Sequence, residues 1–570
     1  MDAQIVRAPF PHQLKALYAM ARLRNPGGIL HLDPGMGKTY IMAMHIKNNL
    51  KNDIPGAVTV VVCPLAVLSH WRVELEAVGG LKVHTYHGID RNKQRVEPGT
   101  NVVLSTYALL GRIALRLWLK KQRGMHMHRL VLDEGHLIRN LLPTPGQPGH
   151  KVPAVALQAI RLRKEAKERW ILTGTLLNNH MKDVMSAAVF VNRDEYRDAE
   201  FWNRGKPASI MRKFKEHNVV LQTLAEAPEL QLPPRQHIVH SVQLSDEERR
   251  LYTALMEKGE ATYASWFNAE GESRMHLRGE LVSLILRLRQ LCNACILVPR
   301  KESGKESGDE SGNESGNESG DESGNESGNE SGNESGNESG NESGNESGGG
   351  DDDLPSGDVI VRNSSKMRAV RDAVMQALEQ RPGRKVVVFS QFTRTLDLLW
   401  RVFSAAGLRS CMYTGAIDAA ARDDVLLTFR TRADTNIMLM SERAGGLGLN
   451  LTIADMTFIV EPDFNPQAEL QAEARVYRIG QTHAVTSVRF IVENSVEAWI
   501  RGIQAKKLKA AAQFLRGDDA EDDQEESSSG SAADDDLKAL FSQTVRATAA
   551  AAAPKVVEKV KKVKTYRIDL

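Results

Sequence analysis

The sequence predicts an α/β protein built from two parallel-sheet lobes, with a helical arm and a disordered tether between them. Three observations predict this fold class. The chain has 570 residues, which is too many for one hydrophobic core. Short β-branched runs alternate with helical stretches in both halves, as is typical of parallel sheets covered by helices. A four-residue repeat without apolar side chains separates the two halves at residues 301–349.

Eight apolar runs are the strand candidates, four on each side of the repeat. They lie at residues 57–63, 101–105, 129–132, 170–173, 385–389, 436–440, 456–460 and 485–492. Between roughly 180 and 300 charged and apolar residues interleave as in helices, and 284–291 (LILRLRQL) is typical of one face of a packed helix. We therefore expect the arm to be helical.

The repeat, mostly Asn-Glu-Ser-Gly, has nothing to bury and a glycine in every unit, so we expect it to be a disordered tether. These patterns divide the chain into five predicted segments. They are a first lobe at 1–230, a helical arm leading out of it at 231–300, a disordered linker at 301–357, a second lobe at 358–512, and a disordered tail, first acidic and then basic, at 513–570.

The net charge of +2 conceals a strong segregation of charge along the chain. Residues 301–353 carry 17 acidic and 2 basic side chains and 518–536 carry 10 acidic and no basic ones, so the remainder has a net charge of +27. This remainder favours a polyanion as partner, and charge alone leaves nucleic acid, a membrane surface and a nucleotide open. Four cysteines are too few to build a disulfide framework, and the first residues lack the apolar run of a signal peptide. The longest apolar run, 57–68, is too short to span a membrane. These features predict a reducing compartment and no membrane partner.

The first motif with a chemical meaning is Gly35-Met36-Gly37-Lys38-Thr39. It follows a short apolar strand and precedes a helical run, which is the context of a phosphate-binding loop. Backbone N–H groups and the helix N-terminus would face phosphate oxygens. Lys38 would reach the β and γ phosphates, and Thr39 would hold Mg²⁺ through its hydroxyl. Because Leu32 stands where the general pattern has glycine, this motif alone leaves a chance glycine-rich turn open.

Two further motifs would complete such a site. Asp133-Glu134 follows the apolar run RLVL, so Asp133 would ligate Mg²⁺ and Glu134 would orient or deprotonate the attacking water. Arg475 and Arg478 are three residues apart, so they share one face if the segment is helical, and they could reach the γ phosphate from the second lobe. Taken singly, these motifs could also be a solvated acid pair and a solvated basic helix face. An arginine finger contributes about 10³–10⁵ in rate, so hydrolysis would require the lobes to close.

Eight motifs in order resemble those of the Swi/Snf family of DNA-dependent ATPases, within the superfamily-two helicases. They are LDPGMGKT (32–39), VVCPLAVLSHW (61–71), STYALL (105–110), DEGHLIRN (133–140), RWILTGTLLNN (169–179), VVVFSQFTRTLDLL (386–399), SERAGGLGLNLT (441–452) and QAEARVYRIGQT (471–482). The resemblance covers about 1–300 and 358–510. It implies two RecA-like lobes, ATP and Mg²⁺ as cofactors, and a motor that steps along double-stranded DNA without separating its strands.

The resemblance also implies roles for single residues. Gln13 matches the family's adenine-reading glutamine. Segments that couple nucleotide state to lobe movement, or run close to DNA or the lobe interface, contain Thr106, His136, Thr173, Thr175, Ser390 and Gly446. A structural role in the core is the alternative for these positions.

The sequence departs from the family pattern at three places: Leu32-Asp33-Pro34 precedes Gly35, Leu176-Leu177-Asn178 follows Thr175, and Ala474 precedes Arg475. Related proteins often insert a zinc-binding ring before the second lobe. Cys292 and Cys295 lack a second pair, so no structural zinc is expected. A compact motor with a low-complexity insert also resembles the baculovirus proteins called global transactivators.

The prediction is therefore an ATPase stimulated by double-stranded DNA that translocates on it and remodels protein–DNA complexes. Its partners would be DNA-bound proteins or the transcription machinery in the nucleus, the host nucleus if the protein is viral. Two alternatives stay open: a strand-separating or RNA helicase, and a transcriptional co-activator scaffold whose ATPase site is vestigial.

Overall fold

Two parallel β-sheets organise the molecule. The structure, a computed structural model, describes residues 8–23, 26–50, 54–111, 114–122, 124–138, 152–174, 181–191, 214, 216–298, 354–417, 419–442, 449–516 and 536–541. Within these residues the first sheet has seven strands and the second has six, and all neighbouring strands run parallel. The predicted fold class is confirmed.

The first sheet has the strand order β3-β4-β2-β5-β6-β1-β7. Its strands are β1 (Gly27–Leu32), β2 (Ala57–Cys63), β3 (Val83–Thr85), β4 (Val102–Thr106), β5 (His126–Asp133), β6 (Glu168–Thr173) and β7 (Val219–Gln222). Its helices are α1 (Pro11–Arg22), α2 (Lys38–Asn48), α3 (Leu68–Ala77), α4 (Tyr107–Gly111), α5 (Ala114–Lys121), α6 (Ala154–Arg163) and α7 (Met181–Val191).

Both faces of this sheet are covered, which explains the continuous apolar runs. Leu130 and Leu132 of β5 pack into one apolar cluster, and Val131 between them packs into a second cluster on the opposite face. Successive side chains of a strand point to opposite faces, so a strand covered on both sides must be apolar throughout.

The second sheet has the order β10-β11-β9-β12-β13-β8. Its strands are β8 (Arg235–Val242), β9 (Val386–Ser390), β10 (Arg409–Tyr413), β11 (Thr435–Ser441), β12 (Met456–Ile459) and β13 (Val485–Val492). The remaining helices are α8 (Asp246–Asn268), α9 (Gly271–Asn293), α10 (Gly357–Asn363), α11 (Ser365–Gln380), α12 (Thr393–Ala405), α13 (Ala419–Thr431), α14 (Pro466–Glu473) and α15 (Val496–Arg516).

The segment 231–300 differs from the predicted helical arm leading out of the first lobe. It begins with β8, which pairs with β13 at the edge of the second sheet, and α8 and α9 pack into the apolar cluster of that lobe. The strand was missed because an edge strand needs no continuous apolar run, and most side chains of β8 are at least partly exposed.

Both segments that flank the repeat also belong to the second lobe. Leu291 of α9 and Ile360 of α10 lie in the same apolar cluster, and the Ser364 hydroxyl donates a hydrogen bond to the Asn293 carbonyl at 2.7 Å. Residues 301–353 of the predicted tether lie outside the described residues. The described chain therefore leaves and re-enters one packed cluster.

The predicted disordered tail contains a helical segment at 536–541. Its three apolar side chains, Leu537, Leu540 and Phe541, are buried against the second-lobe cluster. A Cβ placed on Gly259 of α8 would lie only 2.4 Å from the Phe541 ring, so this helix needs glycine at that position. Across the described ranges, no helix is long and apolar enough to cross a membrane.

Candidate active site between the lobes

The loop between β1 and α2 has the backbone that its glycines predict. Gly35 and Gly37 have φ values of +88° and +82°, a region that side chains disfavour. A Cβ on Gly35 would lie 2.9 Å from the Cβ of Arg478, and one on Gly37 would lie 2.5 Å from Nε2 of Gln13. The glycines therefore allow two other parts of the chain to approach the loop.

Helix α2 begins at Lys38 directly after this loop, so its free N–H groups face the carboxyl edge of the sheet. Lys38 Nζ donates hydrogen bonds to the carbonyl of Leu32 at 2.9 Å and that of Asp33 at 3.5 Å. Desolvation lowers the pKa of Lys38, and the negative charges of Glu134 and Asp133 oppose this. Thr39 is the next residue and is half-buried. A lysine held here has charge to offer a phosphate.

Gln13, predicted to read adenine, lies against the loop. Its Nε2 donates to the carbonyl of Met36 at 3.4 Å, and its Oε1 accepts from the backbone N–H of Phe10 at 3.0 Å. Its neighbour His12 also donates to the Met36 carbonyl, through Nε2 at 3.0 Å. The structure thus brings Gln13 to the loop, and adenine reading stays a prediction.

Asp133 ends β5 and its carboxylate is held by two donors. The Trp71 indole donates to Oδ2 at 2.7 Å, and the backbone N–H of Glu134 donates to Oδ1 at 3.0 Å. Burial, and then the charge of Glu134, raise the pKa of Asp133 to about 6. The Tyr107 hydroxyl donates to the Asp133 carbonyl at 2.7 Å. Trp71 and Tyr107 therefore fix Asp133, a residue for which the sequence motifs indicated no hydrogen-bond partner.

Glu134 adopts a left-handed backbone, with φ of +51°, which is unusual for a residue with a Cβ. Burial alone would raise the pKa of Glu134. The hydrogen bond and charge of His136, whose Nδ1 lies 3.3 Å from Oε2, together with the charges of Lys38 and Arg475, hold it below its usual value. A carboxylate kept ionised in this way can accept a proton from water.

The segment that carries Arg475 and Arg478 is not helical, so the condition for a shared helix face is not met. Helix α14 ends at Glu473, and the two arginines lie in the turns that follow it. Arg478 reaches the phosphate loop at Gly35 and donates to the carbonyl of Leu449 at 3.2 Å. Desolvation, opposed by the charge of Glu134, lowers the pKa of Arg475 to about 10. The second lobe thus brings both arginines to the first lobe's loop.

Three of the residues predicted to couple nucleotide state to lobe movement or to border DNA lie at strand ends. Thr106 ends β4, Thr173 ends β6 and Ser390 ends β9, and all three are buried. The Ser390 hydroxyl donates to Glu461 at 2.7 Å. Thr175 and Gly446 lie outside the described residues. The carboxyl ends of parallel strands share one edge of a sheet. Thr173 borders the nucleotide loop, because β6 pairs with β1, whereas β2, β5 and β6 stand between the strand of Thr106 and β1.

Cys292 and Cys295 have the spacing of metal ligands but lie in an apolar part of the second lobe. Cys292 is buried in α9, and Cys295 is half-buried in the turn after it. In the part of the chain that the structure describes, no group of three or more His, Cys, Asp or Glu residues could hold a metal ion.

Comparison with known proteins gives the following matches. An SNF2-related domain matches residues 12–297, and a helicase conserved C-terminal domain matches 365–480. The human helicase-like transcription factor is 28% identical over 537 residues, covering 82% of this chain and 52% of that protein. The probable global transactivator of Orgyia pseudotsugata multicapsid polyhedrosis virus is 28% identical over 538 residues, covering 89% of this chain and 92% of that protein.

A solved structure, the Sulfolobus solfataricus SWI2/SNF2 ATPase core in complex with dsDNA, is 21% identical and covers 90% of this chain and 94% of that one. The TM-score of this match is 0.34. The chain spans about half the length of the human relative. The first match alone spans half the chain and covers the first lobe together with β8, α8 and α9 of the second, and the second match lies within the second lobe. The chain therefore belongs to the SNF2-related family of helicase-like proteins.

Proposed function

We propose that this protein is a DNA-dependent ATPase that translocates on double-stranded DNA and remodels protein–DNA complexes. The observation that carries the proposal is the meeting of the two lobes at one loop. Lys38 and the Asp133-Glu134 pair come from the first lobe, and Arg475 and Arg478 come from the second. Such a division makes hydrolysis depend on lobe closure, as a motor requires.

The residues suit a magnesium nucleotide. Two adjacent carboxylates, one with its pKa raised to about 6, lie beside a hydroxyl-bearing helix start, and oxygen donors of this kind suit Mg²⁺. Thr39 and Asp133 would hold the ion, which when bound neutralises phosphate charge. The backbone of Gly35 to Gly37 and Lys38 would bind the phosphates, and Gln13 would contact the adenine.

In the hydrolysis step the protein supplies a base and positive charge. Glu134 would orient water and take its proton at the carboxylate, whose ionised form His136 favours. Arg475 and Arg478 would approach the γ phosphate and stabilise the charge that develops there. Thr106, Thr173, Thr175, Ser390 and Gly446 would couple this state to DNA and to the lobe interface.

The charge of the chain supports a nucleic-acid partner, because the residues outside the acidic stretches 301–353 and 518–536 have a net charge of +27. Phosphate contacts would dominate, so affinity should fall steeply with salt and show little sequence preference. DNA-bound proteins or the transcription machinery would be the targets, in the nucleus. The domain boundaries at 230, 300, 357 and 512 are part of this proposal, with 231–300 adding a strand and two helices to the second lobe.

The test is an ATPase assay with and without duplex DNA on the full chain and its Lys38→Ala and Glu134→Gln variants. We expect stimulation by duplex DNA, and loss of turnover in both variants with DNA binding retained. Turnover by Glu134→Gln at the normal rate would refute its role as base.

The two alternatives are distinguished by further outcomes. Fork unwinding without triplex displacement would indicate a strand-separating helicase, and stimulation by RNA alone would indicate an RNA helicase. No turnover with any nucleic acid would indicate a scaffold with a vestigial site.

A further inference from the structure

The chain passes from the first sheet to the second through a short segment, residues 223–234, here called the connector. It lies between β7 and β8, and in the described part of the chain it is the one covalent path between the sheets. Two 3₁₀ turns, Leu224–Glu226 and Pro228–Leu230, and two consecutive prolines at 233 and 234 stiffen it. A stiff connector can pass a displacement from one end to the other.

The first end of the connector is hydrogen-bonded to the phosphate loop. The Asp33 carboxylate accepts the backbone N–H of Leu224 at 2.8 Å, and the backbone N–H of Asp33 donates to the Gln222 carbonyl at 3.3 Å. Asp33 stands two residues before Gly35, inside the loop. A shift of the loop on nucleotide binding would therefore act directly on the start of the connector.

A second tie runs through His12. Glu229 of the connector accepts the backbone N–H of His12 at 2.8 Å, and its carboxylate lies 3.3 Å from His12 Nδ1. The opposite ring nitrogen of His12 donates to the Met36 carbonyl of the loop at 3.0 Å. His12 is almost fully buried, whereas Glu229 is exposed, so the bridge joins the surface of the connector to the buried side of the loop.

The far end of the connector meets the turn that carries the arginines. The guanidinium of Arg235, the first residue of β8, lies 4.9 Å from the centre of the Tyr477 ring. Tyr477 lies between Arg475 and Arg478, and its carbonyl is 3.6 Å from where a Cβ on Gly35 would stand. The connector thus contacts the phosphate loop at one end and leads at the other directly into Arg235, which contacts the arginine turn.

We propose that Asp33 and Glu229 are positioning residues that tie the phosphate loop to the connector and so transmit nucleotide state to the position of the second lobe. This inference rests on the proposed ATPase function. No contact with the nucleotide is proposed for either residue.

The test uses the full chain with Asp33→Ala and Glu229→Ala, which remove the acceptors, and Asp33→Asn and Glu229→Gln, which keep an acceptor oxygen. Glu226→Ala is the matched control, because the Glu226 carboxylate accepts only the Thr223 N–H within the connector among the described contacts. Three quantities are measured: nucleotide affinity, DNA stimulation of ATPase, and the distance between spin labels at the exposed positions Leu117 and Trp400, with and without a magnesium ATP analogue.

We expect both alanine variants to keep nucleotide affinity while losing about five-fold or more of DNA stimulation and most of the nucleotide-dependent distance change. The amide variants and Glu226→Ala should behave like the wild type. Alanine variants with a normal distance change, or amide variants as impaired as the alanine ones, would overturn the proposal. A wild type without ATPase activity would refute the proposed function. An active wild type whose alanine variants are unaffected would refute only the positioning role of Asp33 and Glu229.

Discussion

Replacing Trp71 by phenylalanine tests how firmly the Asp133 carboxylate must be held. The fully buried Trp71 indole donates to Asp133 at 2.7 Å, and phenylalanine keeps most of the ring while removing this donor. A hydrogen bond to a charged group contributes about 1.5–3 kcal/mol. Because about 1.4 kcal/mol is ten-fold in an equilibrium constant, the loss corresponds to roughly 10- to 150-fold. We expect the Mg²⁺ concentration for half-maximal ATPase to rise about 10- to 100-fold, as for hydrogen-bond partners of metal ligands generally.

The assay is a titration of free Mg²⁺ at saturating DNA and constant ATP. Trp118→Phe is the matched control, because Trp118 is also buried in the first lobe but its indole N–H has no hydrogen-bond partner among the described residues. Both variants shrink a buried ring, and only one loses a bond to Asp133. Equal Mg²⁺ requirements in the wild type and both variants would refute the idea that Asp133 holds the ion in this geometry.

Three further predictions follow from other parts of the molecule. Arg475→Ala should lower the hydrolysis rate by about 10³–10⁵ with ATP binding retained, and single-turnover assays beside nucleotide titrations check this. Gly259→Ala should destabilise the intact chain, because its Cβ would lie 2.4 Å from the Phe541 ring. In a Phe541→Ala chain the same substitution should stabilise the fold by about 0.5–1 kcal/mol, because alanine is favoured over glycine within a helix. Urea unfolding should therefore give changes in the free energy of unfolding that have opposite signs in the two chains. Burial lowers the pKa of His45, and the pKa of Glu168 is also low, since its bonds to His45 and Arg129 outweigh burial. Each group therefore takes up its proton at a higher pH in the unfolded chain than in the folded one. As the pH is lowered, the free energy of unfolding should decrease from about pH 6.5 through His45 and again from about pH 4.5 through Glu168, and urea unfolding of His45→Gln should show a smaller decrease.

The strands that sequence could predict were those covered on both faces. Val386 to Ser390 forms β9 with every residue buried, and its pattern is a continuous apolar run. Arg235 to Val242 forms β8 at a sheet edge, with polar side chains along its length. Pairing with β13, more than 240 residues away in sequence, decides its conformation, and no local pattern carries that information.

The same distinction holds for the site. That Lys38 and Asp133 lie at the carboxyl edge of one sheet could be predicted, because each stands in a short motif at or after the end of a buried strand. The contacts of Trp71 and Glu229 could not, because their partners lie 62 and 217 residues away. Their residue types give no signal, since a tryptophan or a glutamate has many ordinary places in a protein. Spacing also suggested a helix through Arg475, which the end of α14 at Glu473 excludes.

The packing on both sides of the repeat has a consequence for its length. Since the chain departs from and returns to a single body, extra or missing units enlarge or shrink an excursion without altering the span between the two lobes. In general, doubling the length of a flexible loop costs only about 0.6 kcal/mol. The distance between the lobes therefore sets no copy number for the repeat, whereas the twelve residues 223–234 must bridge the two sheets.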